Sequence, residues 1–184
     1  MKEENIMILT FDSNIFLTGI DFNLINGIIY TTPKIIDEIK VDKYLEKNRN
    51  ILNRIQAAID SKKLIIKSPS DKYIQEIEFK SKLTGDYKAL SDADKELIAL
   101  TLELINTLNR NTIIYTNDYS MENLCSELNI PFSPLMGKKG IKLKIIWEVY
   151  CPFCKDIRKS EDLNEKCEIC GSKLKRRVGN RKFL

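Results

Sequence analysis

Apolar residues fall along this chain in two alternating rhythms: short continuous runs, and longer stretches at helical spacing. Residues 6–11 form a run of strand length, ended by Asp12, Ser13 and Asn14. Residues 28–31 form a second. Thr32 then offers an N-cap and Pro33 a first helical position, predicting a helix through Ile35, Ile36 and Ile39. Leu45, Leu52, Ile55 and Ile59 sit near helical spacing and predict a helix over 43–61. A third strand over 64–66 is closed by Ser68 and Pro69, then a helix over about 71–82 runs to a break at Gly85. Ser91 caps the longest amphipathic helix, which carries Leu97, Ile98, Thr101, Leu104 and Ile105. Residues 112–116 make a fourth strand and 119–128 a following helix.

This alternation predicts an α/β sandwich around a mainly parallel sheet, since near-continuous apolar strands suit a sheet covered on both faces. Residues 137–150 read differently. Gly137 and Gly140 punctuate them, and Ile141, Leu143 and Ile145 alternate with Lys142 and Lys144, as in a half-buried strand joining two units. The expected organisation is a main domain over 1–136, this linker and strand over 137–150, and a small module over 151–184.

That last module is too short to bury an adequate core by itself. It carries Cys151, Cys154, Cys167 and Cys170 in a C-x2-C-x12-C-x2-C pattern. Two thiolates two residues apart grip one tetrahedral metal from a tight turn, and two such turns close a four-thiolate site. Two disulfides, or four unrelated thiols, are the alternatives. A closed structural zinc ribbon holds shape and does no chemistry, so catalysis belongs upstream. The leftover thiol Cys125, a charged stretch over 1–5 and the lack of any long apolar span fit a cytoplasmic protein.

The net charge of +4 is unevenly spread, because residues 151–184 hold ten Lys/Arg against five Asp/Glu. Lys173, Lys175, Arg176, Arg177, Arg181 and Lys182 run without an intervening acid, and with Lys142 and Lys144 they suit a phosphate backbone. A solvated tail is the plainer reading of that run. Phe153 is a candidate to stack on a base, or to cover its own turn. Histidine is absent, which excludes Ser-His and Cys-His chemistry and leaves carboxylates with a bound cation.

Four acids answer that description. Asp12 and Asp118 follow the first and fourth strands, at the edge where open parallel sheets bind ligands. Asp94 opens the long helix on its apolar side, and Glu38 lies in the helix after the second strand. Converging carboxylates repel unless a cation neutralises them, and hard oxygen ligands suit Mg²⁺ or Mn²⁺. Each acid also has a plain structural role: a capping box from Ser91 to Asp94, an N-cap at Asp118, a turn at Asp12, a solvated helix acid at Glu38.

The pieces FDSNIF, TTPKIIDEIK, LSDADKELIALTLEL and TNDYSMEN, in that order, resemble a PIN nuclease domain. The resemblance implies a metal-binding quartet of Asp12, Glu38, Asp94 (rather than Asp92) and Asp118, with Ser13, Asn14, Thr116 and Asn117 in support. Together with the four-cysteine ribbon, it extends to the archaeal and eukaryotic Nob endonucleases, which mature the 3′ end of small-subunit ribosomal RNA. The implied reaction hydrolyses an RNA phosphodiester to a 3′-hydroxyl and a 5′-phosphate, and the implied partners are precursor rRNA, the small-subunit particle and its assembly factors. Asn117 stands where that family often has a second aspartate. The competing readings are a general single-strand PIN ribonuclease and a non-catalytic assembly factor with a retired PIN fold.

Overall fold

The computed structural model describes residues 6–41, 45–108, 111–134 and 143–183. Its larger sheet has five strands: β1 (Ile8–Phe11), β2 (Ile28–Thr31), β3 (Leu64–Ile66), β4 (Thr112–Tyr115) and β5 (Phe132–Ser133). They lie in the order β3-β2-β1-β4-β5, and every pair is parallel. The first four are the strands predicted from the apolar runs. β5 escapes that reading because two residues carry no pattern; it pairs Ile114 with Phe132 and Tyr115 with Ser133, and Phe132 packs against the core.

The helices are α1 (Ser13–Leu17), α2 (Pro33–Ile39), α3 (Leu45–Asp60), α4 (Asp71–Thr84), α5 (Asp92–Leu108) and α6 (Tyr119–Glu127). Thr32 caps α2 as expected, its side chain accepting from the Ile35 amide at 3.4 Å. α1 was not foreseen, because a helix of five residues is too short for a period to show. Its Ile15 and Phe16 are buried, and Phe11, Phe16 and Phe22 meet edge to face at 5.8 and 5.6 Å. α5 is the buried backbone of the domain, with Leu97, Ile98, Ala99 and Leu100 fully inside. The Thr101 hydroxyl bonds to Thr10 of β1 at 2.7 Å and to the Leu97 carbonyl at 2.8 Å, so this hydroxyl is satisfied within an apolar stripe. Among the described residues no helix is long and apolar enough to cross a membrane.

A second sheet places β6 (Leu143–Tyr150) between β7 (Ile157–Arg158) and β8 (Lys175–Phe183), all antiparallel. From Leu143 onward the alternating segment is a strand that pairs with β8 of the basic tail along its described length, while Ile141 and Lys142 lie outside the described residues. That tail is a nine-residue strand rather than a solvated extension. The ladder slips between Ile146 and Trp147, where Gly179 is the extra residue opposite. Beneath it Val149, Cys151, Leu163, Cys167 and Leu174 form a separate small core.

Candidate catalytic edge and four-cysteine centre

The strand order reverses between β1 and β4: the chain leaves β1 for β2 and β3 on one side, and β4 and β5 lie on the other. Ligands bind at such a switch point, beyond the carboxyl ends of the strands. Asp12 and Asp118 stand there. Asp12 follows β1 directly, and its amide bonds to the Tyr115 carbonyl at the end of β4 at 3.2 Å. Its side chain is buried at 2 % exposure. Oδ2 accepts from Thr116 Oγ1 at 3.0 Å and Asn14 Nδ2 at 3.4 Å, and Oδ1 from Ser13 Oγ at 3.2 Å. Burial raises the Asp12 carboxyl above the usual aspartate range, against these hydrogen bonds.

The two helical acids arrive from opposite directions. α2 departs from β2 and carries Glu38 at the rim. α5 runs antiparallel to the strands, so its first turn delivers Asp94 to the same edge. Asp94 is raised by burial, opposed by Ser91, and raised further by the charges of Asp12 and Asp118. Glu38 is raised by burial, opposed by a hydrogen bond with Ser13, and raised by Asp94. The charges of Asp12 and Asp118 thus reach Asp94, and that of Asp94 reaches Glu38. Asp92, the near neighbour in sequence, has an 83 % exposed side chain and pairs with Lys95 at 3.2 Å.

Two plain structural roles are real here. Ser91 and Asp94 form the capping box, and Asp118 Oδ1 caps α6, accepting from the amides of Ser120 at 2.6 Å and Met121 at 3.3 Å. Each uses one carboxylate oxygen and leaves the other for the edge. Thr116 supports both sides, donating to Asp12 and accepting from the Asp118 amide at 3.1 Å. Asn117 is half-buried in the same turn. A cavity of about 510 Å³ lined by Ser13, Leu17, Glu38, Lys47, Asn48 and Ile51 opens beside the acids.

In the smaller unit, Cys151, Cys154, Cys167 and Cys170 bring their sulfurs within 4.8 Å of one another. Cys151 and Cys170 are 3.4 Å apart, Cys154 and Cys167 3.6 Å, and all are free thiols, which removes the disulfide alternative. Four sulfurs at Zn–S ≈ 2.3 Å in a tetrahedron stand about 3.8 Å apart, so the donor set fits such an ion. The acids are more widely spread, since the cysteines alone among the described residues bring three or more ligand atoms this close. The two turns superpose in their bonding. Cys151 N bonds to Asp156 O and Lys155 N to Cys151 O; Cys167 N bonds to Ser172 O and Gly171 N to Cys167 O. The residue after each second cysteine is left-handed, Gly171 at φ 72° and Lys155 at φ 66°. Hydrogen bonds from Ser172 lower Cys170 to about 6, and the amides of Cys170 and Ile169 lower Cys167. Cys154 is instead raised to about 12, its backbone hydrogen bond with Asp156 being outweighed by burial and by the three neighbouring thiols.

The basic residues divide. Lys173, Lys175 and Arg181 are exposed. Arg177 pairs with Glu148 at 2.7 Å and lies over Tyr150, while staying 44 % exposed. Arg176 is turned away from this face: its guanidinium lies 4.3 Å from the Trp147 ring centre and 3.6 Å from buried Asp86. Strand alternation accounts for the division, sending the neighbours Arg176 and Arg177 to opposite faces. Lys142 lies outside the described residues, and only the backbones of Lys144 and Lys182, which pair across the ladder, are described. Asp86 and Asn123 went unnoticed in the sequence, since neither stands at a strand end nor in a metal-ligand spacing.

This edge, on this sheet order, defines a PIN-type nuclease fold. Residues 9–104 match the family described as PIN domain of ribonuclease. Over 167 residues the chain is 34 % identical to Endoribonuclease Nob1 of Methanocaldococcus jannaschii, covering 91 % of this chain and 76 % of that protein. It is 32 % identical to Endoribonuclease Nob1 of Pyrococcus abyssi, covering 91 % of each. An 80-residue stretch is 40 % identical to the 20S-pre-rRNA D-site endonuclease NOB1 of Saccharomyces cerevisiae, covering 44 % of this chain and 16 % of that protein. The chain belongs to the Nob1 endoribonuclease family.

Proposed function

We propose that this protein is a metal-dependent endoribonuclease that cuts precursor small-subunit ribosomal RNA at its 3′ end, in the cytoplasm, during ribosome assembly. The observation that carries the reading is Asp12, buried directly after β1 at the switch-point edge of a Nob1-family chain, with its charge and that of Asp118 reaching Asp94 and that of Asp94 reaching Glu38. These four residues are the proposed ligands of Mg²⁺ or Mn²⁺, and their oxygen-only chemistry fits a hard cation. Such a cation, when bound, lowers the pKa of a water and neutralises charge on the phosphate.

The chain's own residues prepare that site. Ser13, Asn14 and Thr116 fix both oxygens of Asp12, and the caps at Ser91 and Ser120 fix one oxygen each of Asp94 and Asp118. Hydrogen bonds of this kind limit the rotation of Asp12, Asp94 and Asp118, so that little side-chain freedom is lost when a cation draws the more widely spread acids together. We assign zinc to the four cysteines, with residues from 143 onward as the ribbon and those before 135 as the nuclease. Lys173, Lys175, Arg177 and Arg181 are the proposed phosphate contacts. Phe153 and Ile169, which precede the second cysteine of each turn and are both exposed, are proposed to meet unstacked bases.

The test is incubation with a short RNA spanning the 3′ end of small-subunit ribosomal RNA, with and without Mn²⁺. A single Mn²⁺-dependent cut leaving a 3′-hydroxyl is expected from the wild type and not from Asp12→Asn. RNA bound but uncut in both would favour a retired nuclease fold.

A further inference from the structure

The ribbon and the nuclease meet through a clamp that the cutting chemistry does not use. Asn123 of α6 is buried, and its carboxamide pairs with the Ile145 peptide of β6 as a strand neighbour would. Its Nδ2 donates to the Ile145 carbonyl at 2.7 Å, and its Oδ1 accepts from the Ile145 amide at 2.7 Å. The same Nδ2 donates to Asp86 Oδ2 at 2.7 Å. Asp86 Oδ1 faces the Arg176 guanidinium of β8, which stacks on Trp147 of β6.

Around this centre the fit is close. Gly85 ends α4 at φ 77°, and a Cβ there would stand 2.5 Å from the Trp147 carbonyl. Ser160 Oγ donates to the Lys82 carbonyl at 2.7 Å, Lys82 pairs with Glu161 at 2.7 Å, and Lys88 approaches Glu165 at 3.6 Å. Units joined by a linker are mobile by default, and an apolar contact alone would let them slide. The three 2.7 Å hydrogen bonds that Asn123 makes to the Ile145 peptide and to Asp86 do not permit that, because each is lost on a small displacement.

The clamp is also built on the helix that presents a candidate catalytic acid. α6 is capped by Asp118 and carries Asn123 about one and a half turns later. We propose that Asn123, with Asp86 and Arg176, is a positioning element that holds ribbon and nuclease as one body, and so fixes which phosphodiester of a ribbon-held RNA reaches the acids. The proposal rests on the nuclease reading above and adds to it the selection of the cut.

The experiment uses the full, zinc-loaded chain. Amide relaxation should give one correlation time for residues before 135 and after 143 in the wild type, that of a single 21.3 kDa body. Asn123→Ala should give two. On RNA spanning the rRNA 3′ end, this variant should cut at several adjacent phosphodiesters instead of one, while kcat on a short unstructured strand stays unchanged. Gly85→Ala, which wedges the same interface from α4, should act alike and serves if Asn123→Ala does not fold. Independent tumbling of the wild-type units overturns the proposal. So does a variant that tumbles as two bodies yet still cuts only at the wild-type position. A wild type that cuts neither RNA removes the nuclease reading instead, and the relaxation data then still decide whether the clamp exists.

Discussion

Ser91 and Asp94 hold each other by reciprocal hydrogen bonds: the Ser91 amide donates to Asp94 Oδ2 at 2.7 Å, and the Asp94 amide to Ser91 Oγ at 3.0 Å. The pair stabilises the start of α5 and at the same time immobilises an acid within the field of Asp12 and Asp118. Ser91→Ala should therefore cost about 1 kcal/mol of stability, the usual price of a lost cap. RNA cleavage should also slow, though less than in Asp94→Asn. Thermal unfolding and single-turnover rates on one RNA check both; an unchanged rate would separate the cap from the site.

Asp12→Asn keeps the shape and hydrogen bonding of a buried residue and removes one charge. Cleavage should fall by orders of magnitude while the melting temperature holds or rises, since repulsion among the acids is relieved. Asp92→Asn should change neither by much, its side chain being exposed beside Lys95. Equal losses at Asp92 and Asp94 would show that the wrong acid of that turn has been assigned.

The protein should carry one zinc, lost in Cys154→Ser or Cys167→Ser. Without the ion, the five-residue core under the second sheet is too small to hold, so residues from about 143 onward should lose their dispersed NMR signals while the parallel sheet keeps its own. A zinc-free spectrum with an intact ribbon would contradict this.

Binding of the rRNA fragment should weaken with salt. Replacing Lys173, Lys175 and Arg181 together by Ala should flatten the slope of log K against log salt by about 2 to 3, at 0.7 to 0.9 per phosphate contact. Arg176→Gln should leave that slope unchanged, because its charge is spent on Asp86 and Trp147.

Asp86 is raised by burial to about 6, against hydrogen bonds from Asn123 and Thr84 and the charge of Arg176, with Asp118 adding to the rise. The folded protein thus binds this proton more tightly than the unfolded chain, whose aspartates titrate near 3.9. The resulting penalty is full above pH 6 and relieved as pH falls toward 4. Between pH 7 and pH 4 the wild type should gain about 2 to 3 kcal/mol relative to Asp86→Asn, groups common to both cancelling. Denaturant titrations of both proteins at several pH values measure the difference directly; a constant difference would place Asp86 at an ordinary pKa.

Local chemistry made much of this protein legible in one dimension. Four parallel strands, the Thr32–Pro33 helix start, the thiolate turns and the acids beyond β1 and β4 all follow from periodicity, capping and spacing, which act over a few residues. The resemblance to PIN and Nob nucleases rested on the same short segments. Only the folded chain decided that the caps at Asp94 and Asp118 each engage a single carboxylate oxygen, because that depends on which oxygen each partner takes. It alone showed that Lys155 matches Gly171, a likeness of backbone without likeness of sequence. The fate of the basic tail was likewise tertiary: pairing with β6 divides Arg176 from Arg177 by the alternation of a strand. Asn123, Asp86 and Ile145 are far apart in sequence, and no local rule links them; they meet because a buried amide must find partners, and the docked ribbon supplies them.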